Sequence, residues 1–180
     1  VRSELVVTPH GRCAIVGDAP GLTPRELGRA ALRAVMDMPD LVIGNDDRGA
    51  PVLPPGWVGS IAHKRERAAA LAAADDGARI GVDLEHAREP RGPIERRVLT
   101  ERELAAVRAP RDVTLYFAIK EAIYKAVDPF VRRYVTFHEV ELALEEDGVA
   151  AVTSALPLAI EAWWCEHDGY WLATARARRP

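Results

Sequence analysis

Ile80-Gly81-Val82-Asp83-Leu84-Glu85 decides how the rest of the chain is read. Apolar Ile80, Val82 and Leu84 alternate with Asp83 and Glu85, the period of a strand with one buried face. The two carboxylates then stand side by side, roughly 6 to 7 Å apart at their Cα atoms. Gly81 leaves room for a ligand or another backbone to come close. Adjacent carboxylates repel one another unless positive charge lies between them, and a hard divalent cation such as Mg²⁺ supplies it. An Asp-x-Glu pair alone is an ordinary solvated face, so the remaining chain must provide the other parts of a site.

Upstream of this strand, residues 68–74 are almost all alanine. Alanine favours helix, but seven residues between a basic turn and Asp75-Asp76-Gly77 suit a strand leading by hairpin into the carboxylate strand. That reading makes the two strands neighbours in one sheet. Trp57-Val58-Gly59-Ser60-Ile61 predicts a further strand, ending at Ala62-His63-Lys64, and residues 44–56 form a Gly/Pro/Asn/Asp loop. Earlier still, a hairpin turns at Pro9-His10-Gly11, and Thr23 caps a helix that Pro24 opens and that runs to about Met38. Arg25, Arg29 and Arg33 recur every four residues and share one face of that helix.

Downstream, residues 86–111 hold seven Arg against four Glu, a local excess of positive charge. Thr100 and Glu103 make a capping box for a helix reaching about Val107, which Pro110 ends. Asp112 caps a second helix over residues 113–127, stopped by Pro129. Strands follow at 134–144, 149–153, 159–165 and 170–177. The fold class is α+β, with sheets in both halves of the chain.

Composition narrows the function. At 180 residues the chain can bury a real core. A net charge of -3 argues against a general nucleic-acid binder. No apolar run approaches a membrane span, and no signal-peptide pattern opens the chain. Cys13 and Cys165 fit no metal or redox spacing, which suits a reducing, cytoplasmic setting.

Lys120-Glu121-Ala122-Ile123-Tyr124-Lys125 is the second informative stretch, with Glu121 and Lys125 on one helix face. Taken alone the pair is a helix-stabilising ion pair. Taken with Asp83 and Glu85, Glu121 completes three carboxylates around one Mg²⁺, with Lys120 or Lys125 reaching a phosphate. His63, followed by Lys64, Arg65 and Arg67, sits in an electropositive turn suited to phosphate, and Arg48 lies just upstream.

In this order, Gly59-Ser60-Ile61-Ala62-His63, Ile80 to Glu85, and Phe117-Ala118-Ile119-Lys120-Glu121-Ala122-Ile123-Tyr124-Lys125 resemble the three signatures of 4′-phosphopantetheinyl transferases of the surfactin/enterobactin-activating type. The likeness covers about residues 48 to 145. It implies a pseudo-symmetric pair of α/β lobes with coenzyme A in the cleft between them. The expected division is a first lobe over residues 1–78, including the His63 loop, and a second over 79–180 that carries the carboxylates, together one compact unit. The implied activity is that of a holo-[acyl-carrier-protein] synthase: the phosphopantetheine arm of coenzyme A passes to a serine of an acyl or peptidyl carrier protein, releasing 3′,5′-adenosine bisphosphate. By motif position, Asp83, Glu85 and Glu121 hold Mg²⁺. Glu121 is also the candidate general base, directly or through a water. Lys125 contacts the pyrophosphate, Lys120 assists or orients the serine, and His63 binds a coenzyme A phosphate. Arg48 and one of Arg25, Arg29 or Arg33, with Arg29 preferred, serve the 3′-phosphate and adenine.

The sequence departs from the family in places. Ala118 stands where a small hydroxyl or thiol is usual, and the Gly-Lys/Arg-Pro element survives only as Arg48-Gly49-Ala50-Pro51. A short first lobe and a start at Val1 suggest a domain of a larger synthase; otherwise a monomer is expected. The basic stretch 86–111 and the apolar surface around Phe130 are candidates for docking an acidic carrier protein. Two rivals remain: another Mg²⁺-dependent phosphodiester enzyme, and an inactive module that binds coenzyme A or carrier proteins.

Overall fold

The alanine run is a strand with both faces buried. The computed structural model describes residues 2–17 and 19–180. In it β6 (Arg67–Ala74) lies inside an antiparallel sheet of order β1-β2-β6-β5, with β1 at Ser3–Thr8, β2 at Gly11–Gly17 and β5 at Trp57–His63. Ala68, Ala70 and Ala72 pack against helix α1 (Pro24–Met36), while Ala69 and Leu71 face the other half of the molecule. Small side chains on both faces let the helix and a second sheet approach the strand closely, which is why the run lacks polar alternation.

β7 (Arg79–His86) does not pair with β6, contrary to the hairpin expectation. β6 already has β2 on one side and β5 on the other, so it has no free edge to offer. After a turn in which Asp75 and Asp76 accept the backbone N–H groups of Gly77 and Ala78, the chain instead crosses into a second antiparallel sheet. Its order is β7-β11-β10-β9-β8, from β8 (Val140–Leu144), β9 (Val149–Ser154), β10 (Ala159–His167) and β11 (Tyr170–Arg178). Every strand of the first sheet precedes residue 75 and every strand of the second follows residue 78.

The two sheets stack face to face. Cys13, Ile15, Val58 and Leu71 meet Ile80, Val82, Leu84 and Leu172 in a buried layer between them. A fully buried Leu or Ile contributes about 1.5–3 kcal/mol, so this layer welds the halves together. The outer faces are covered by α1 on one side and by α4 (Pro110–Val131) on the other. Two lobes of one plan, sheet plus outer helix, thus sit back to back.

Several boundaries differ from the sequence reading for identifiable reasons. Pro110 opens α4 at a position that needs no N–H, and Asp112 caps from within the first turn by accepting from Arg108 and Ala109 N–H, each at 2.9 Å. Pro129 removes one hydrogen bond in the last turn without ending the helix, which stops at Arg132 in a left-handed conformation. Residues 44–56 include a small ladder between β3 (Gly44–Asn45) and β4 (Pro51–Val52). A short helix α2 (Glu95–Val98) precedes the expected capping-box helix α3 (Glu101–Ala106). The strand expected from 134 begins only at Val140, after a 3₁₀ turn at Phe137–Glu139.

A polar seam crosses the lobes: Tyr170 donates to Glu66 at 2.8 Å, and His10 Nδ1 meets Thr174 Oγ1 at 2.9 Å. Burial pushes the His10 imidazole below its ordinary value, Glu161 opposes this, and Arg176 adds to it. The folded state therefore prefers neutral His10, whereas the unfolded chain takes up its proton near pH 6.5. His10's contribution is complete above that pH and is lost as pH falls toward the depressed folded value. Urea midpoints measured between pH 8 and 5 should fall more steeply for the wild type than for His10→Asn, by at most about 1.4 kcal/mol per pH unit. Parallel profiles would remove His10 from the acid response.

Candidate active site

Gly81 is where the site begins. A Cβ there would lie 1.9 Å from the Ala122 carbonyl oxygen and 2.9 Å from the Ala126 nitrogen. Only glycine lets the α4 backbone rest on β7, and this contact brings Glu121 beside Asp83, two residues along the strand. The close partner anticipated for Gly81 is a backbone.

β7 is an edge strand paired only with β11 among the described strands. Side chains satisfy the open edge: Val82 N–H donates to Ser60 Oγ at 3.1 Å, and the Val82 carbonyl accepts from Lys125 Nζ at 2.8 Å. Lys125 also bonds Asp83 Oδ1 at 2.8 Å, and Lys64 pairs with Glu85. Asp83 Oδ2 is buried with no hydrogen-bond partner. Burial, with Asp83 close by, pushes the Glu121 carboxyl above the usual carboxylate range; Lys125 opposes this. Glu85 is raised chiefly by burial, with Lys64 pulling the other way. An orphaned carboxylate oxygen among crowded, desolvated carboxylates is a donor set that a hard divalent cation completes. The three are not gathered into a closed cage. Among the described residues, the metal-ligating group with all ligand atoms within 4.8 Å of one another is Glu4, His167 and Asp168, elsewhere on the surface.

Next to Glu121 opens a cleft of about 990 Å³ between the lobes. Arg25, Arg29, Arg48 and His63 line it from the first lobe; Glu121, Tyr124, Lys125 and Asp128 line it from α4, and Arg132 from just beyond its end. The arginines are already engaged. Arg25 and Arg29 both donate to Asn45 Oδ1, at 2.7 and 3.2 Å, and Arg48 holds Asp128 with two donors. Arg33 turns away and bonds the Leu41 carbonyl at 2.9 Å, so the stripe divides two to one. A second cavity of about 380 Å³, lined largely by Phe117, Ile123, Val127, Tyr134, Val135 and Phe137, shares Glu121 and Tyr124 with the cleft.

Lys120 corrects the sequence reading. It borders the second cavity but is 3% exposed, and its ammonium donates to Glu103 at 2.6 Å, to the Val98 carbonyl at 2.8 Å and to the Phe137 carbonyl at 2.9 Å. With three hydrogens committed to structure, Lys120 has none to offer an incoming serine. Burial lowers its pKa while Glu103 raises it. The 3₁₀ turn found where a strand was expected is closed locally, by Glu139 N–H on the Thr136 carbonyl at 3.1 Å and by Thr136 N–H on the Glu139 carboxylate at 2.9 Å.

Four contributors were not assigned by sequence. Lys64 was read only as part of a basic turn, and Glu103 only as a cap. Ser60 enters only as part of the first signature and Asp128 not at all, because their partners lie 22 and 80 residues away.

Residues 79–175 match the 4′-phosphopantetheinyl transferase superfamily, and residues 22–73 match the 4′-phosphopantetheinyl transferase N-terminal domain. The chain belongs to the 4′-phosphopantetheinyl transferase superfamily. It is 40% identical over 136 residues to the 4′-phosphopantetheinyl transferase Npt of Nocardia iowensis, covering 70% of this chain and 59% of that protein. It is 39% identical over 138 residues to Svp of Streptomyces mobaraensis, covering 70% of this chain and 54% of that protein. The chain thus spans little more than half the length of these relatives. A crystal structure of a holo-(acyl-carrier-protein) synthase from Bacillus anthracis in complex with CoA (3′,5′-ADP) aligns with TM-score 0.44 and 22% identity, over 56% of this chain and 96% of that one.

Proposed function

We propose that this chain, working as one two-lobed unit, transfers the 4′-phosphopantetheine arm of coenzyme A to a serine of an acyl or peptidyl carrier protein. The observation that carries the reading is the position of Glu121, beside Asp83 and at the junction of a cationic cleft and an apolar cavity. The nucleotide, with its phosphates, suits the cleft that offers Arg25, Arg29, Arg48 and His63; the pantetheine arm suits the apolar cavity. The pyrophosphate between them then falls at Glu121 and Lys125.

At that junction the serine oxygen forms a bond to the β-phosphorus while the bond to the bridging oxygen breaks, and 3′,5′-adenosine bisphosphate leaves. Glu121, at the junction of the two cavities, would take the serine proton directly or through a water. Lys125 is a fixed positive charge held by Val82 and Asp83, positioned for the pyrophosphate. Asp83, Glu85 and Glu121 would hold Mg²⁺, which when bound neutralises the charge gathering on the pyrophosphate. Exposed Arg88, Arg91, Arg96, Arg97 and Arg108 have no ion-pair partner among the described residues and offer a basic face to an acidic carrier protein. Cys13 and Cys165 are free thiols, which suits the cytoplasm where we place the reaction.

The test is stoichiometry. Incubated with coenzyme A, Mg²⁺ and an apo carrier protein, the chain should release one 3′,5′-adenosine bisphosphate per serine modified. Coenzyme A cleavage without a modified carrier would favour a different phosphodiester enzyme. Binding without cleavage would favour a module that only docks.

A further inference from the structure

We infer that the Lys64 ammonium holds the place at Glu85 that a divalent cation must take, and so makes metal binding depend on a pyrophosphate-bearing ligand arriving with it. This rests on the reading of Asp83, Glu85 and Glu121 as the metal ligands.

Lys64 is the first residue beyond β5, and its ion pair with Glu85 crosses from one lobe to the other. The Glu85 side chain is 14% exposed there and that of Lys64 31%, so the pair is largely sheltered from screening. Lys125 does the same for Asp83, but the two lysines are not equally held. Lys125 Nζ is fixed by the Val82 carbonyl as well as by Asp83, whereas Lys64 Nζ has Glu85 as its one hydrogen-bond partner among the described residues. Lys64 is therefore the one that yields.

The charges set the order of events. Three carboxylates facing two ammoniums leave one net negative charge. A divalent cation entering alone would turn this into one net positive charge, with Lys64 beside it. The two negative charges of a pyrophosphate restore the original balance and give the displaced ammonium a new partner. The route is short, because the preceding residue, His63, already lines the cleft. Because coupling between two ligands is reciprocal, coenzyme A tightens the metal as much as the metal tightens coenzyme A.

Mn²⁺ binding followed by electron paramagnetic resonance tests this without reference to turnover. Wild-type protein should bind Mn²⁺ at least tenfold more tightly with coenzyme A than without it. Lys64→Gln, and Lys64→Met as a second uncharged form, should bind Mn²⁺ alone at least tenfold more tightly than wild type, with most of the coupling gone. Lys64→Arg, which keeps the charge, should behave as wild type. Unchanged or weaker Mn²⁺ binding by both uncharged variants overturns the inference. Asp83→Ala separates the two claims: if it binds Mn²⁺ as wild type does, the ligand assignment itself fails.

Discussion

Asp83→Ala should reduce transfer about 10³-fold or more while leaving coenzyme A binding measured without metal within severalfold. The substitution removes the carboxylate whose free oxygen faces the candidate metal site, and a metal's charge stabilisation is worth several kcal/mol. The arginine-lined cleft does not touch Asp83 and should still hold the nucleotide. Stability should move the other way or not at all. Asp83 carries a buried, unpartnered oxygen and raises the pKa of Glu121 by repulsion, so its loss relieves strain that only function justifies. Lys125 keeps the Val82 carbonyl as a partner. Initial rates, coenzyme A titrated without metal, and a melting curve check each part. An active variant, or an inactive one that no longer folds, would contradict this assignment.

Breaking the Glu103–Lys120 pair should have the largest effect on stability. Both side chains are buried, at 0% and 1% exposure, and both serve backbone groups as well as each other. Glu103 accepts from Thr100 N–H and Leu142 N–H at 2.7 Å each, tying α3 to β8, while Lys120 ties α4 to the ends of α2 and the 3₁₀ turn. Removing one member strands the other charge, at about 3–5 kcal/mol. For a chain of this size that lowers the melting temperature by roughly 10 °C or more. Glu103→Gln with Lys120→Met should recover much of the loss, since no charge is then stranded and the glutamine can still accept a backbone N–H. A Lys120→Ala protein that melts like wild type yet fails in transfer would return Lys120 to the chemistry.

The parts of the site legible in sequence were those set by short periods. Alternation placed Asp83 and Glu85 opposite the apolar face of β7, and four-residue spacing placed Glu121 with Lys125. What stayed hidden depends on contacts across the fold. Lys120 neighbours Glu121 in sequence, but only its contacts with Glu103, Val98 and Phe137 show that it points into the core. The alanine strand was recognisable, yet its lack of a free edge, which sends β7 to the other sheet, follows from β2 and β5 already flanking it. Pro110 reads as a stop because Ala109 before it offers no capping side chain such as Thr23 gives Pro24, and Pro129 because nothing local shows that it falls in the last turn, where one lost hydrogen bond is tolerated. The ion pairs Lys64–Glu85 and Arg48–Asp128 join segments 21 and 80 residues apart, where spacing carries no information.

The most direct measurement is the intact mass of an apo carrier protein after incubation with the chain, coenzyme A and Mg²⁺. One phosphopantetheine arm should be gained on a single serine, and the gain should vanish with EDTA or with Asp83→Ala. An unmodified carrier under conditions where the folded chain binds both coenzyme A and Mn²⁺ would contradict the assignment of transfer to this site.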